Sequence, residues 1–228
     1  MIEMIDVYKK YSNGVMAANG INVKIEKGEF VYVVGPSGAG KSTFIKMMYR
    51  EERPTKGSVI VNGTNLSKLR NSRVPMFRRN LGVVFQDFKL LPKLTVYENV
   101  AFALEVIEET PKQTRRRVME VLDLVSLKHK ARMLPTELSG GEQQRISIAR
   151  SIVNKPKVVI ADEPTGNLDP ETSWEIMKIF EEINNRGTTV VMATHNKDIV
   201  NRLKHRVIAV ENGQIARDEE KGEYGYES

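Results

Sequence analysis

The sequence predicts an α/β domain of 228 residues with a helical lobe inserted into it. Three observations lead there. The apolar run Phe30-Val31-Tyr32-Val33-Val34 reads as a buried strand, and a glycine-rich loop carries it straight into the helical text Phe44–Tyr49. From Thr95 to about Asn154 strand-and-turn text gives way to helical periodicity, after which strands return. The length allows one substantial core, so the helical section reads as an insertion and not as a separate terminal domain.

Composition narrows the class. A hydrophobic content of 40% with 28% charged residues is ordinary for a water-soluble globular chain. Cysteine is absent, which excludes disulfides and thiolate metal sites and fits a reducing compartment. No apolar run approaches a membrane span, and Glu3 and Asp6 speak against a secretory leader. The net charge of +6 suits a polyanionic ligand without choosing between nucleotide, lipid and nucleic acid.

Taken in order, Ile2–Val7 and Ile21–Ile25 have strand spacing, with the turn text Tyr11-Ser12-Asn13-Gly14 between them. Tyr11 is either half-buried packing or a platform for an adenine ring, and the pattern does not choose. The loop from Gly35 to Thr43 has the spacing G-x-x-x-x-G-K-S between strand and helix, the P-loop arrangement. Gly35, Gly38 and Gly40 let the backbone curl so that its N–H groups form a nest for a polyphosphate at a helix N-terminus. Lys41 reaches β- and γ-phosphates as a point charge, and the Ser42 hydroxyl suits Mg²⁺. The nucleotide-binding candidates of this loop are Gly35, Ser37, Gly38, Ala39, Gly40, Lys41, Ser42 and Thr43.

Beyond it, Arg53-Pro54-Thr55-Lys56-Gly57 turns into the strand Ser58–Val61, closed by Asn62-Gly63. The basic stretch Lys68, Arg70, Arg73, Arg78 and Arg79 reads as a solvated face, with lipid headgroups as the alternative partner. A further strand, Leu81–Phe85, ends at Gln86. Thr95–Glu108 and Pro111–Val125 read as amphipathic helices, with Pro111 suited to a first turn and Arg115, Arg116 and Arg117 on the wet side. Leu138-Ser139-Gly140-Gly141-Glu142 opens another helix with capping-box spacing. Two glycines after a cap weaken a helix, at about 1 kcal/mol each in an interior. They make sense where exposed N–H groups must approach a phosphate closely.

Lys157–Ala161 is apolar and ends in Asp162-Glu163. A central parallel strand with carboxylates at its C-terminal end delivers them beside the P-loop, where Asp162 suits Mg²⁺ and Glu163 the attacking water. Asn167-Leu168-Asp169-Pro170 starts a helix at a sharp turn. Thr188–Ala193 ends at Thr194-His195, which places His195 on the same edge, while His129 and His205 lie in basic surface text. Val207–Val210, Asn212-Gly213 and Gln214–Ala216 form a hairpin, and the polar tail from Asp218 to Ser228 is expected to fray.

In this order Gly35–Thr43, Gln86, Leu138–Glu142, Val158–Glu163, Leu168-Asp169 and His195 resemble the Walker A, Q-loop, signature, Walker B, D-loop and H-loop of ABC ATPases, with no departure at any of them. Tyr11 matches the family's adenine-stacking position. The resemblance implies a P-loop NTPase core of ABC ATPase type with an antiparallel β subdomain and the inserted lobe. The core would take residues 1–88 and 155–220, the lobe 89–154 and the polar tail 221–228. It further implies ATP and Mg²⁺ as cofactors, Glu163, His195 and Gln86 in catalysis, and Ser42, Gln86 and Asp162 around the metal. Ser139, Gly140, Gly141 and Asp169 would meet the nucleotide across an ATP-dependent head-to-tail dimer of two copies.

The text Asn80–Pro92 with Val96–Leu104 is similar to the FtsE family of bacterial cell-division ATP-binding proteins. That family implies an integral membrane partner of FtsX type, a peripheral place on the cytoplasmic face of the membrane, and control of peptidoglycan hydrolysis. Lipoprotein-release and macrolide-export ATPases share the pattern Ala161–Asp169 and are the first alternative. A nucleic-acid-handling ABC ATPase calls for a long coiled-coil insertion or a second cassette, so no nucleic acid is expected. A P-loop kinase leaves Leu138–Glu142 unexplained. Phe88, Leu90 and Leu91 either pack under the lobe or line a groove for a cytoplasmic helix of the membrane partner.

Overall fold

The structure, a computed structural model, describes residues 1–225. Strands β1 (Ile2–Lys10) and β2 (Met16–Ile25) run antiparallel and outreach the sequence expectation at both turn-facing ends. Register shifts between Met4 and Lys10, with Asp6 at φ 48°, break the period-two alternation while the pairing continues. Strand β3 (Phe30–Val34) leads into helix α1 (Lys41–Met48), after which β4 (Lys56–Val61) and the two-residue β5 (Thr64–Asn65) complete an antiparallel sheet ordered β2-β1-β4-β5.

The basic stretch that follows is only partly a solvated face. Lys68, Arg70 and Arg73 are exposed, but a short helix α2 (Val74–Arg78) forms there, burying Val74 and Phe77, and its Arg78, though exposed, reaches back to the end of α1. Arg78 Nε donates to Tyr49 O at 2.9 Å and Nη2 to Arg50 O at 3.2 Å, which satisfies carbonyls left open at the end of α1.

The second sheet holds β3 with β6 (Leu81–Val84), β7 (Val158–Asp162), β8 (Thr189–Ala193), β9 (Arg206–Glu211) and β10 (Gln214–Glu219), ordered β10-β9-β3-β8-β7-β6. Its strands are parallel except β10, which folds back on β9. Both faces of this sheet are covered, which is why β3, β7 and β8 read as unbroken apolar runs. Val31, Val33, Val158, Ile160 and Val191 face one core, shared with α1 and the antiparallel sheet. Tyr32, Val34, Val159, Ala161 and Met192 face the other, under the helices.

Those helices are α3 (Val96–Glu105), α4 (Pro111–Leu124), α5 (Gly140–Ile152), α6 (Pro170–Asn185) and α7 (Lys197–Leu203). Helix α3 is entered through a capping box in which Thr95 Oγ1 accepts from Glu98 N and Glu98 accepts from Thr95 N. On α4, Arg115 and Arg116 are exposed as expected, but Arg117 is half-buried and pairs with Glu109 at 3.1 Å. His205 is likewise no surface bystander: its ring stacks on Phe30 with centroids 4.4 Å apart, and Nε2 lies 2.6 Å from Glu181 Oε1.

The tail departs most from expectation. Asp218 belongs to β10 and takes two bonds of 2.8 Å from Arg206. Gly222 N donates to His205 O, and Tyr224 is buried, with its N donating to Asn201 Oδ1 at 2.6 Å. Polar composition hid the docking because backbone groups and one aromatic ring achieve it. The last three residues of that expected fray lie outside the described ones.

Candidate active site

Parallel neighbours β3, β8, β7 and β6 deliver four loops side by side at one sheet edge: the P-loop, Thr194-His195, Asp162-Glu163 and Phe85-Gln86. Steric need fixes the first. A Cβ on Gly35 (φ 145°) would stand 2.1 Å from Val210 O, and one on Gly40 (φ 107°) 2.3 Å from Ala17 O. The loop is therefore braced by backbone from both sheets. The hairpin turn completes the brace, Gly213 N donating to Ala39 O at 2.9 Å. Gly38 (φ 77°) has open space around it, so its backbone angle alone calls for glycine. Ser37 and Ser42 are exposed and Ala39 is buried. Lys41 Nζ donates to Gly35 O at 2.8 Å and Pro36 O at 3.0 Å, so its charge lies across the loop that precedes it. Tyr11 stands against α1 with its hydroxyl 3.1 Å from Thr43 Oγ1, and Lys9 Nζ lies 4.9 Å from its ring centroid.

Asp162 and Glu163 separate in environment although they are neighbours in sequence. Burial first, and then the Glu163 charge, push the Asp162 carboxyl above its ordinary range, against Lys46 and Lys41. Glu163 turns out of the strand at φ 49°, and its Oε2 accepts from His195 N at 3.2 Å and lies 2.8 Å from His195 Nδ1. His195 is exposed, while the Glu163 carboxylate is largely shielded. Gln86 is held on the next loop, Nε2 donating to Asn167 Oδ1 at 3.1 Å. Sequence reading gave Asn167 no role of its own.

The segment after Gln86 is tied to the helical lobe by two side chains that sequence reading missed. Arg150 of α5 donates to Phe88 O at 3.0 Å and Lys89 O at 2.8 Å, and both those residues have positive φ. Asn99 of α3, fully buried, accepts from Leu91 N and donates to Leu91 O, Leu94 O and Thr95 O. A polar residue in phase with the apolar face of α3 was the available signal. The three apolar residues of this segment also divide. Leu90 packs on the core, the Phe88 ring approaches Gly140, and Leu91 lines a groove of about 430 Å³ with Phe85, Phe102 and Val106. Phe102 and Val106 are large and solvent-exposed on α3, at 45% and 41%.

The signature turn lies on the other face of the sheet from α1. Ser139 Oγ accepts from Glu142 N, and the Lys130 ammonium beside Glu142 holds that carboxyl below its usual range. The glycines split in meaning. A Cβ on Gly141 would meet Thr172 Cγ2 of α6 at 2.4 Å and displace that side chain, so this glycine serves packing inside the chain and not only the approach of a phosphate. Gly140 is exposed and has room for a side chain. Asp169 caps α6 by accepting from Thr172 N at 2.9 Å, and its bonds with Thr172 hold its carboxyl low.

A polyphosphate fits this edge, because the nest is built of glycines whose missing Cβ atoms leave backbone as its wall. A magnesium ion held by one or two protein oxygens and by phosphates fits as well. Among the described residues no group of three or more His, Cys, Asp or Glu side chains forms a cage of its own.

A P-loop edge with this set of partners, joined to a lobe that carries a capped signature helix, defines an ATP-binding cassette. The chain belongs to the ABC transporter family, whose match spans residues 18–166, and it is an ATP hydrolase of that type. It is 72% identical over 225 residues to the cell division ATP-binding protein FtsE of Bacillus subtilis, covering 99% of each chain. Identity to the Escherichia coli K12 protein of the same name is 44%, covering 94% of this chain and 97% of the relative. Among solved structures, the ATP-binding cassette MJ0796, a dimer bound to ADP and Pi, superposes with a TM-score of 0.88 at 34% identity, covering 99% of this chain and all of the other. No helix among the described residues is long and apolar enough to cross a membrane.

Proposed function

We propose that the chain is the ATP-hydrolysing subunit of a membrane complex in bacterial cell division, a single ATP-binding domain over 1–228 whose helical lobe spans 89–154. The observation that carries the catalytic part is the Glu163–His195 pair at the sheet edge beside the P-loop. Tyr11 stacks the adenine, while the loop from Gly35 to Thr43 wraps the phosphates and Lys41 moves its ammonium onto them. Ser42 and Asp162 hold Mg²⁺ together with Gln86. Bound there, the ion neutralises charge that builds on the phosphate oxygens. Glu163 accepts a proton from the attacking water through the carboxylate that His195 orients, and His195 touches the γ-phosphate.

The signature face supports a second copy. Ser139 and Gly140 are exposed at the start of a capped helix, on the opposite side of the sheet from the chain's own α1. In an isologous dimer each copy's Ser139, Gly140, Gly141 and Asp169 close over the other's ATP; that the MJ0796 cassette is dimeric supports the assembly of two copies. The groove beside Leu91 accepts a cytoplasmic helix of an FtsX-type membrane protein, which recruits the chain to the membrane and links hydrolysis to peptidoglycan remodelling. Exposed Phe102 and Val106 on its wall support that occupant over a lipoprotein-release assembly only together with the FtsE relatives.

Glu163→Gln keeps the shape of the side chain and removes its basicity. Turnover should fall at least about 100-fold while ATP affinity survives. Purified Glu163→Gln protein that hydrolyses ATP at a near-parental rate would falsify the assignment of the base.

A further inference from the structure

Helix α2 is a partition. Its Pro75, Arg78 and the adjoining Arg79 line the groove described above, whereas Met76, Phe77 and the flanking Arg73 and Asn80 line a second cavity of about 480 Å³ behind it. The composition of that second cavity is unusual. Arg73, Lys155 and Lys157 line it with no carboxylate, and none of the three enters an ion pair among the described residues. The other basic surface, on α4, is different: carboxylates line it too, and Arg116 pairs with Glu120 and Lys128 with Asp123, each at 3.6 Å. Beside the three free cations stands Met76, which exposes 54% of its surface, over a floor of Leu69, Phe77 and Pro156. Asn62 and Asn154 form part of the wall, and the buried Oδ1 of each accepts no hydrogen bond, while Asn154 Nδ2 donates to Arg79 O.

We infer that this cavity binds the headgroup of an anionic phospholipid. Arginine and lysine take the phosphodiester, and the two asparagines take hydroxyl or amine donors of the headgroup. The thioether of Met76 and the ring of Phe77 lie against the glycerol and the first methylenes. A soluble anion would use the cations but leave Met76 in water. An acidic polypeptide would use the charges but has no need of a narrow cavity with an apolar floor. The inference rests on the reading that the neighbouring groove takes a helix from a membrane protein, because that occupant brings α2 to the bilayer surface.

The test uses the full chain alone, without nucleotide or partner, so it can fail while the ATPase and groove assignments stand. Sedimentation with vesicles of phosphatidylglycerol and phosphatidylcholine should exceed sedimentation with pure phosphatidylcholine. Each juxtamembrane cation is worth about fivefold in binding, so Arg73→Gln/Lys157→Gln should weaken it about 25-fold. The control Arg116→Gln/Lys128→Gln should change it less than about twofold, because those two charges are already paired with Glu120 and Asp123. Met76→Ser should lower vesicle binding without altering its salt dependence. Arg73 and Lys157 are exposed, so the double variant should melt with the parent, and Arg73→Gln alone serves if it does not. The inference is overturned if the chain shows no preference for phosphatidylglycerol, or if both double variants lose binding equally. It is also overturned if millimolar inorganic phosphate displaces the vesicles, which makes the cavity a free-anion site. A glutamate-rich peptide that competes as well as the vesicles overturns it in favour of a protein partner.

Discussion

At the P-loop, an added Cβ on Gly35 or Gly40 would stand 2.1 or 2.3 Å from a carbonyl oxygen of the chain's own backbone; at the signature turn, one on Gly140 would meet nothing nearer than 3.7 Å. Both turns begin a helix and both present backbone N–H groups, yet their glycines answer to different neighbours. The P-loop is shaped by β2 and β9 pressing on it, so its geometry is complete within one chain. Gly140 has no such reason. A glycine retained at an exposed helix start, where alanine would strengthen the helix, points to something outside the chain that comes close. Gly141 next to it follows the first pattern, through Thr172.

Gly40→Ala should separate the two turns by the largest effect. The methyl group collides with backbone and not with a movable side chain, at a φ of 107° that strains alanine in any case. ATP affinity should fall at least about 100-fold by calorimetry, with a loss of about 1–3 kcal/mol in stability from the crowding. Near-parental binding would show that the brace from Ala17 is soft.

At the signature, Gly141→Ala should cost about 1–3 kcal/mol in chemical denaturation, because Thr172 must move. Gly140→Ala should instead hold stability or raise it by up to about 1 kcal/mol, while ATP-driven dimerisation and turnover drop at least about tenfold. If Gly140→Ala protein keeps full turnover, the claim that this glycine serves a second copy is wrong.

The groove offers a milder contrast. Phe102 is exposed, so Phe102→Ala should shift stability by no more than about 0.5 kcal/mol and leave basal turnover intact, yet reduce capture by the membrane partner in a pull-down. A large fall in melting temperature would make it a packing residue.

The smallest effect concerns Asp162. Its folded-state pKa is raised, so ionised Asp162 costs stability above that pKa, and the cost fades as pH falls into the carboxylate range. Asp162→Asn should therefore melt slightly higher than the parent at pH 8, by a margin that narrows at lower pH, while metal-dependent turnover is lost. A variant that melts lower at pH 8 reverses the sign of this effect.

Much of the sheet edge was legible in the sequence because each of its parts is a residue type tied to a spacing. Gly35, Lys41, Asp162 and His195 fall at strand ends that apolar runs announce. What stayed hidden depends on contacts between distant segments. Helix α2 formed inside a basic run because Val74 and Phe77 found a core to enter. Arg78 reads as surface charge until the open end of α1 is brought beside it. Asn99 and Arg150 look like ordinary helix residues, since their partners are backbone carbonyls that no sequence pattern displays. Tyr11, open to two readings in the sequence, stands beside the P-loop helix with its hydroxyl held by Thr43.

The tie between Arg150, Asn99 and the segment Phe88–Leu91 has a mechanical consequence. Two successive residues with positive φ cost about 1–3 kcal/mol each, and Arg150 grips the carbonyls of both. That segment therefore travels as cargo of the lobe. Gln86 is moored instead to Asn167, on the sheet side. Asp87 alone stands between the two anchorages, its carbonyl accepting from Lys89 N and its carboxylate paired with Lys89 Nζ. A link that short and that closely bonded joins the wall of the groove to the aim of Gln86.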